Sequence, residues 1–278
     1  MSSVPNYPIG VFDSGVGGLT VAREIVTRLP REQILYLGDT ARVPYGNKSP
    51  ETIQRYSLTI AQTLQRAHAK VIVVACNTAS AYSLEALTER FQIPIIGVIS
   101  PVARQAATVT SSGAVGVIGT RGTVASGAYD RALKAVDPTL EIYTQACPLF
   151  VPLAEEGWIS GEVPQRVAER YLAPLAAAPI DVLILGCTHY PLLAPIIEKT
   201  LSTLAQRHIR VLDSATATSE ALEATLISAG KMATSQTSAP EHQFWMTDSS
   251  PTFLEACGRF FGAPVSSVEH VDLIPFTS

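Results

Sequence analysis

Several short stretches of this chain are apolar along their whole length rather than at every second residue. They are IGVF from Ile9, QILYLG from Gln33, KVIVVAC from Lys70, IPIIGVI from Ile93, AVGVIG from Ala114 and DVLILG from Asp181. A strand with one wet face alternates; a strand buried on both faces does not. Between these runs lie stretches with helical spacing, among them Gly17 to Arg28, a segment opening at Pro50, and Ala79 to Arg90. Ser49 suits the N-cap of the second helix, and proline suits its first turn. EIYTQA and IRVLD continue the rhythm further on. Unalternating strands separated by helices specify an α/β fold with mostly parallel sheets covered on both faces.

The chain is long enough, at 278 residues, for more than one such unit. With 47% hydrophobic and 16% charged residues it can bury a large core, which excludes a disordered chain. Net charge is -4 and the basic residues are scattered, so no electrostatic footprint for nucleic acid is present. No apolar run reaches the roughly 18 residues that cross a bilayer. The opening MSSVPNYPIG lacks the basic start and apolar core of a signal peptide, so a cytoplasmic protein without a membrane partner is expected. Cys76, Cys147, Cys187 and Cys257 lie far apart, without zinc-site or redox-pair spacing. In a reducing compartment these thiols are either buried small hydrophobes or chemical groups.

The two halves resemble one another. IGVFDSGVGGLTV from Ile9 parallels VGVIGTRGTVASG from Val115, which matches Ser14 to Thr120. VVACNT from Val73 parallels LILGCT from Leu183 at nearly the same offset, which matches Cys76 to Cys187. A duplicated α/β unit accounts for both. Two pseudo-symmetric lobes are therefore expected, the first from residues 1–98 with 209–278 and the second from 99–208. The site is expected at their interface. The segment ATSQTSAPEH reads as a surface loop, and SSVEHVDL as a last strand.

DSGVGGLT, from Asp13, follows one strand and opens a helix. It lacks G-x-G-x-x-G spacing and a Walker lysine. It is either a turn that aims backbone amides at an anion or a turn that needs glycine for close approach. Asp13 sits at a strand's carboxyl end, where open α/β sheets bind ligands. The loop DTARVPYGNKS, with Pro44, Tyr45 and Gly46, is either a pocket wall or a plain connection. Cys76 and Cys187 each close a strand just before a helix, whose N-terminus favours thiolate. Asn77, Thr78, Thr188 and His189 place hydrogen-bonding groups beside them. Two thiols on opposite sides of one carbon supply an acid and a base of equal strength. Cys147 and Cys257 read as packing. His189, two residues from Cys187, is the one histidine placed for catalysis, and a carboxylate at Glu155 or Glu156 could orient it.

VFDSGVGGLTV, PYG, ACNTAS and GCTHYPLL together resemble the glutamate racemases of the aspartate/glutamate racemase superfamily. The resemblance runs from Ile9 to about Leu212 and implies cofactor-independent interconversion of L- and D-glutamate, which supplies D-glutamate for peptidoglycan. It implies that Cys76 removes the α-proton of D-glutamate and Cys187 that of L-glutamate. Asp13 would assist Cys76, His189 would assist Cys187, and Glu155 would support His189. Substrate contacts carried over are Asp13, Ser14, Tyr45, Gly46, Asn77, Thr78, Thr188 and His189, with Thr120 and Thr123 as candidates for the substrate carboxylate. The expected partner is glutamate alone, with no metal, in a homodimer. Rival readings are a two-cysteine racemase or isomerase acting on aspartate, hydantoins or maleate, and a non-enzymatic role in binding DNA gyrase.

Overall fold

A computed structural model describes residues 7–233, 240–248, 251–265 and 267–276. The strands are β1 (Ile9–Asp13), β2 (Ile34–Gly38), β3 (Val71–Val74), β4 (Ile95–Gly97), β5 (Ala114–Gly119), β6 (Glu141–Ala146), β7 (Val182–Gly186), β8 (Arg210–Asp213), β9 (Gln243–Met246) and β10 (Glu269–His270). They form two parallel sheets, ordered β10-β9-β2-β1-β3-β4 and β6-β5-β7-β8. Every residue of β1, β2, β3, β5 and β7 is buried. That is why these runs are apolar throughout. The edge strand β6 is only partly covered and reads EIYTQA accordingly.

The helices are α1 (Leu19–Arg28), α2 (Pro50–Arg66), α3 (Asn77–Arg90), α4 (Ile99–Val109), α5 (Arg121–Ala125), α6 (Ala128–Val136), α7 (Phe150–Glu155), α8 (Glu162–Ala177), α9 (Ala194–Ala205), α10 (Ser214–Ser228) and α11 (Pro251–Phe261). Ser49 caps α2 by accepting from Thr52 N at 3.3 Å, as its sequence predicts. Among the described residues no helix is long and apolar enough to cross a membrane.

The duplication is visible in the strand order. β2-β1-β3-β4 in one sheet and β6-β5-β7-β8 in the other follow the same winding. Cys76 thus follows β3 as Cys187 follows β7, and Ser14 follows β1 as Thr120 follows β5.

One assignment is corrected. Residues 210–213, placed in the first lobe from sequence, pair with β7 in the second sheet. Leu212 is buried beside Val182 and Ile184, and this apolar contact fixes β8 there. β9 and β10 do extend the first sheet, but among the described residues of SSVEHVDL only Glu269–His270 is strand. Of the segment read as a surface loop, residues 234–239 lie outside the described residues.

Candidate active site

A cavity of about 330 Å³ lies between the two sheets. Its walls come from loops at strand carboxyl ends: Ser14 and Gly15 after β1, Val43 to Asn47 after β2, Cys76 to Thr78 after β3, Thr120 and Arg121 after β5, and Cys187 to His189 after β7. Pro148, Val151, Pro152 and Glu155, on and before α7, complete it. This is the switch point of each sheet, where open parallel sheets leave a crevice. All the site residues expected from sequence line the cavity except Asp13 and Thr123, which lie behind it.

Gly17 sets how closely the lobes approach. A Cβ there would collide with Thr188 Oγ1 and with the imidazole of His189. Thr20 Oγ1 also donates across the gap to Thr188 O at 3.0 Å. Close approach is therefore a reason for glycine in DSGVGGLT. The Gly15 amide donates to Asp13 Oδ2 at 2.8 Å.

Cys76 is the N-cap of α3, and its sulfur accepts from Ala79 N at 3.4 Å. Its thiol lies 3.7 Å from Ser14 Oγ, to which it donates. Burial, and then the carboxylate of Asp13, push this thiol up to about 12. The sequence argument expected the helix terminus to favour thiolate here. Burial outweighs the terminus, so Cys76 rests as a thiol. Asp13 is itself raised, by burial first, against an opposing pull from His189. Its Oδ1 is buried without a partner.

Cys187 is followed not by an α-helix but by a single 3-10 turn, Tyr190–Leu193, before α9. Its sulfur lies 3.8 Å from His189 Nδ1. On the other side of the ring, Nε2 meets Glu155 Oε1 at 2.9 Å. Burial disfavours the imidazolium, but hydrogen bonding to Cys187 and Glu155 outweighs it and raises His189 to about 10. The two cysteines therefore stand in unlike surroundings. One faces a hydroxyl and a buried carboxyl; the other faces an imidazole whose proton is held more tightly than usual.

The remaining walls are tied down by hydrogen bonds. Thr78, Thr120 and Thr123 form a triangle of hydroxyls, each 3.0 Å from the next. Thr123 thus supports the two that reach the cavity. Asn77 Nδ2 donates to Tyr129 Oη at 2.8 Å and Ser214 Oγ at 3.3 Å. Gly46 passes so near Thr120 that a Cβ would lie 3.0 Å from the threonine Cβ. Tyr45 Oη donates to Asp39 Oδ2, a contact that sequence reasoning did not find. Asp39 is fully buried, and its Oδ1 accepts from Arg42 Nε at 2.9 Å and Thr247 Oγ1 at 3.0 Å. Asn47, Arg121 and the apolar residues of α7 were also missed; nothing in the spacing of CPLFVPLA distinguishes a cavity wall from core.

The family model for Asp/Glu/Hydantoin racemases matches residues 9–222. The chain belongs to this family. A glutamate racemase of Geobacter metallireducens is 49% identical to it, over 97% of this chain and 98% of that one. Among solved structures, the glutamate racemase of Francisella tularensis in complex with D-glutamate has a TM-score of 0.89 at 36% identity, over 96% of this chain and 98% of that one. The glutamate racemase of Thermus thermophilus in complex with β-chloro-D-alanine has a TM-score of 0.85 at 42% identity, over 97% and 98%. The racemase family match spans both sheets as far as β8 and ends inside α10, so β9, α11 and β10 lie beyond it.

Proposed function

We propose that this racemase interconverts L- and D-glutamate by a two-base mechanism, with Cys76 and Cys187 on opposite faces of the substrate's α-carbon. The observation that carries the reading is the placement of the two thiols. They stand at equivalent strand ends of a duplicated fold and in the wall of one cavity. The relatives' shared name, glutamate racemase, supports the choice of substrate.

In the L-to-D direction, Cys187 as thiolate takes the α-proton. The electron pair left on the carbon spreads into the carboxylate, and the thiol of Cys76 delivers its proton to the opposite face. In the D-to-L direction the roles reverse. An α-proton of an amino acid is very weakly acidic, so charge developing on the carboxylate must be met by fixed donors. Ser14, Asn77, Thr78, Thr120 and Thr188 line the cavity for that task, with Thr123 behind them, and Tyr45 and Gly46 form the wall beside Thr120. An imidazolium favours thiolate in a neighbouring cysteine, so His189 supports Cys187, with Glu155 holding its far nitrogen. Asp13 assists Cys76 from behind the wall, where its buried carboxylate makes the thiolate a stronger base. These side chains supply both proton transfers without a cofactor.

The two sheets act as two lobes, residues 1–98 with the chain's last segment in one and 99 to about 213 in the other. The setting is the cytoplasm, the product D-glutamate serves peptidoglycan, and the working form is a homodimer, the commonest closed assembly. The test is polarimetry on a panel of amino acids. Loss of optical activity with either enantiomer of glutamate is expected; racemisation of aspartate with none of glutamate overturns the reading.

A further inference from the structure

The last helix of the chain lies outside the family match and far in sequence from both cysteines, yet it touches the acid–base pair beside Cys187. Phe260 is fully buried, and its ring meets the imidazole of His189 edge to face, with centroids 5.1 Å apart at 74°. The residue before it, Arg259, donates through Nη1 to the carbonyls of Ala154 and Glu155. Those are the last carbonyls of α7, the helix that carries Glu155. A cation at a helix C-terminus satisfies free carbonyls and opposes the negative end of the dipole. The turn beyond α7 is shaped to admit it. Gly157 has φ +75°, and a Cβ there would lie 3.1 Å from the centre of the guanidinium.

Helix α11 belongs to the other lobe. It lies between β9 and β10, both in the first sheet. Its end is packed on α1, where a Cβ at Gly262 would meet Arg23 Cδ at 3.0 Å. His189 and Glu155 both come from the second lobe. The contact is therefore a brace from one lobe to the chemistry of the other.

We propose that Phe260 and Arg259 are positioning residues for the Cys187 half of the site, Phe260 by fixing the plane of the His189 ring and Arg259 by fixing the helix end that brings Glu155 to it. The proposal rests on the two-cysteine reading above. It assigns the brace to the Cys187 proton transfer, because Phe260 packs on His189 and Arg259 holds the end of α7, whereas the hydrogen bonds of Cys76 run to Ser14 and Ala79.

Racemisation rates alone cannot read this. The two enantiomers are equal in free energy, so kcat/KM falls equally in both directions whichever half is damaged. An irreversible half-reaction is needed. The probe is 3-chloroglutamate, with either configuration at the α-carbon. One thiolate takes the α-proton, the C–H pair forms the Cα=Cβ bond, and chloride leaves Cβ. The enamine released becomes an imine, and water converts it to 2-oxoglutarate and ammonium.

In Arg259→Met and Phe260→Leu, elimination from the L-configured probe is expected to slow about ten- to a hundredfold, the cost of a small misplacement of a catalytic group. Elimination from the D-configured probe should stay near the wild-type rate, and Arg259→Lys should recover part of the loss. Equal slowing of both probes, or slowing of neither, overturns the proposal. Arg259 is partly exposed and serves if Phe260→Leu does not fold. A second readout is independent of turnover: NMR titration of His189, raised to about 10 in the intact site. Arg259→Met should bring it down toward the ordinary histidine value, and an unchanged titration counts against the brace. If the wild type fails to racemise glutamate while this titration still shifts, the substrate reading falls and the brace stands.

Discussion

Cys76 and Cys187 occupy equivalent points of two sheets with the same strand order, and they share one cavity, but their surroundings differ. Cys76 donates to Ser14 and rests as a thiol, whereas Cys187 faces His189. The first prediction follows from that pairing. Cys76→Ser and Cys187→Ser should each lose racemisation by about 10²–10⁴-fold, the usual worth of a positioned acid or base. Each should still eliminate chloride from 3-chloroglutamate of one configuration only: Cys76→Ser from the L form, Cys187→Ser from the D form. Chiral chromatography and 2-oxoglutarate assays measure the two. Normal racemisation by Cys76→Ser would remove it from the mechanism.

The His189–Glu155 pair makes a prediction about pH and stability. The folded protein raises His189 to about 10, above its ordinary 6.5. A raised group of this kind contributes stability that is fully present below about 6.5 and is lost as pH rises through about 10. Glu155 is nearly half exposed, so solvent screening holds its share to about 1 kcal/mol or less. Glu155→Gln should therefore melt below the wild type near pH 7, and the gap should close above pH 10. Thermal melts across that range read it directly. A gap that widens with pH contradicts the assignment. In activity, the same variant should move the basic limb of the rate profile toward acid.

The fold was legible because parallel strands buried on both faces must be apolar throughout, and because the duplication repeats VVACNT as LILGCT. The cysteine tips, the threonines and His189 were legible for the same reason, since they close those strands. What sequence could not show is contact between distant segments. Asp39 pairs with Thr247, and Phe260 meets His189. Neither contact leaves a local pattern in the chain. The state of Cys76 was misread because a helix terminus is visible in sequence and burial is not. The strand at 210–213 was misassigned because pairing with β7 depends on which apolar surface is nearest, and IRVLD suits either sheet.

Asp39 carries the third prediction. It is fully buried and holds Tyr45, Arg42 and Thr247 at once, which fixes the loop that walls the cavity beside Thr120. Asp39→Asn keeps the shape but loses charge and replaces an acceptor with a donor. Hydrogen bonds to a charged group contribute about 1.5–3 kcal/mol. KM for glutamate should rise about tenfold or more, while elimination from saturating 3-chloroglutamate stays balanced between the two configurations. A one-sided loss would place Asp39 with one cysteine instead of with the substrate wall.

The fourth prediction concerns stability without chemistry. Lys70 and Glu32 form an ion pair at the amino ends of the first sheet, opposite the cavity, and both are buried. Lys70 Nζ also donates to Lys231 O at 2.8 Å, and Glu32 Oε1 accepts from Ala233 N at 2.7 Å. The pair therefore ties the chain after α10 to the base of β3. Removing one partner strands a buried charge, at a cost of about 3–5 kcal/mol. Lys70→Met should lower the unfolding free energy by that much in denaturant titrations, with kcat and KM for glutamate unchanged below the melt. Lys70→Met combined with Glu32→Leu should recover most of the loss, because an apolar pair leaves no charge unpaired. Ala233 N would then lack its acceptor, so recovery should stop short of the wild type. A double variant no more stable than the single would show that the pair's worth lies in holding residues 231–233 rather than in charge compensation.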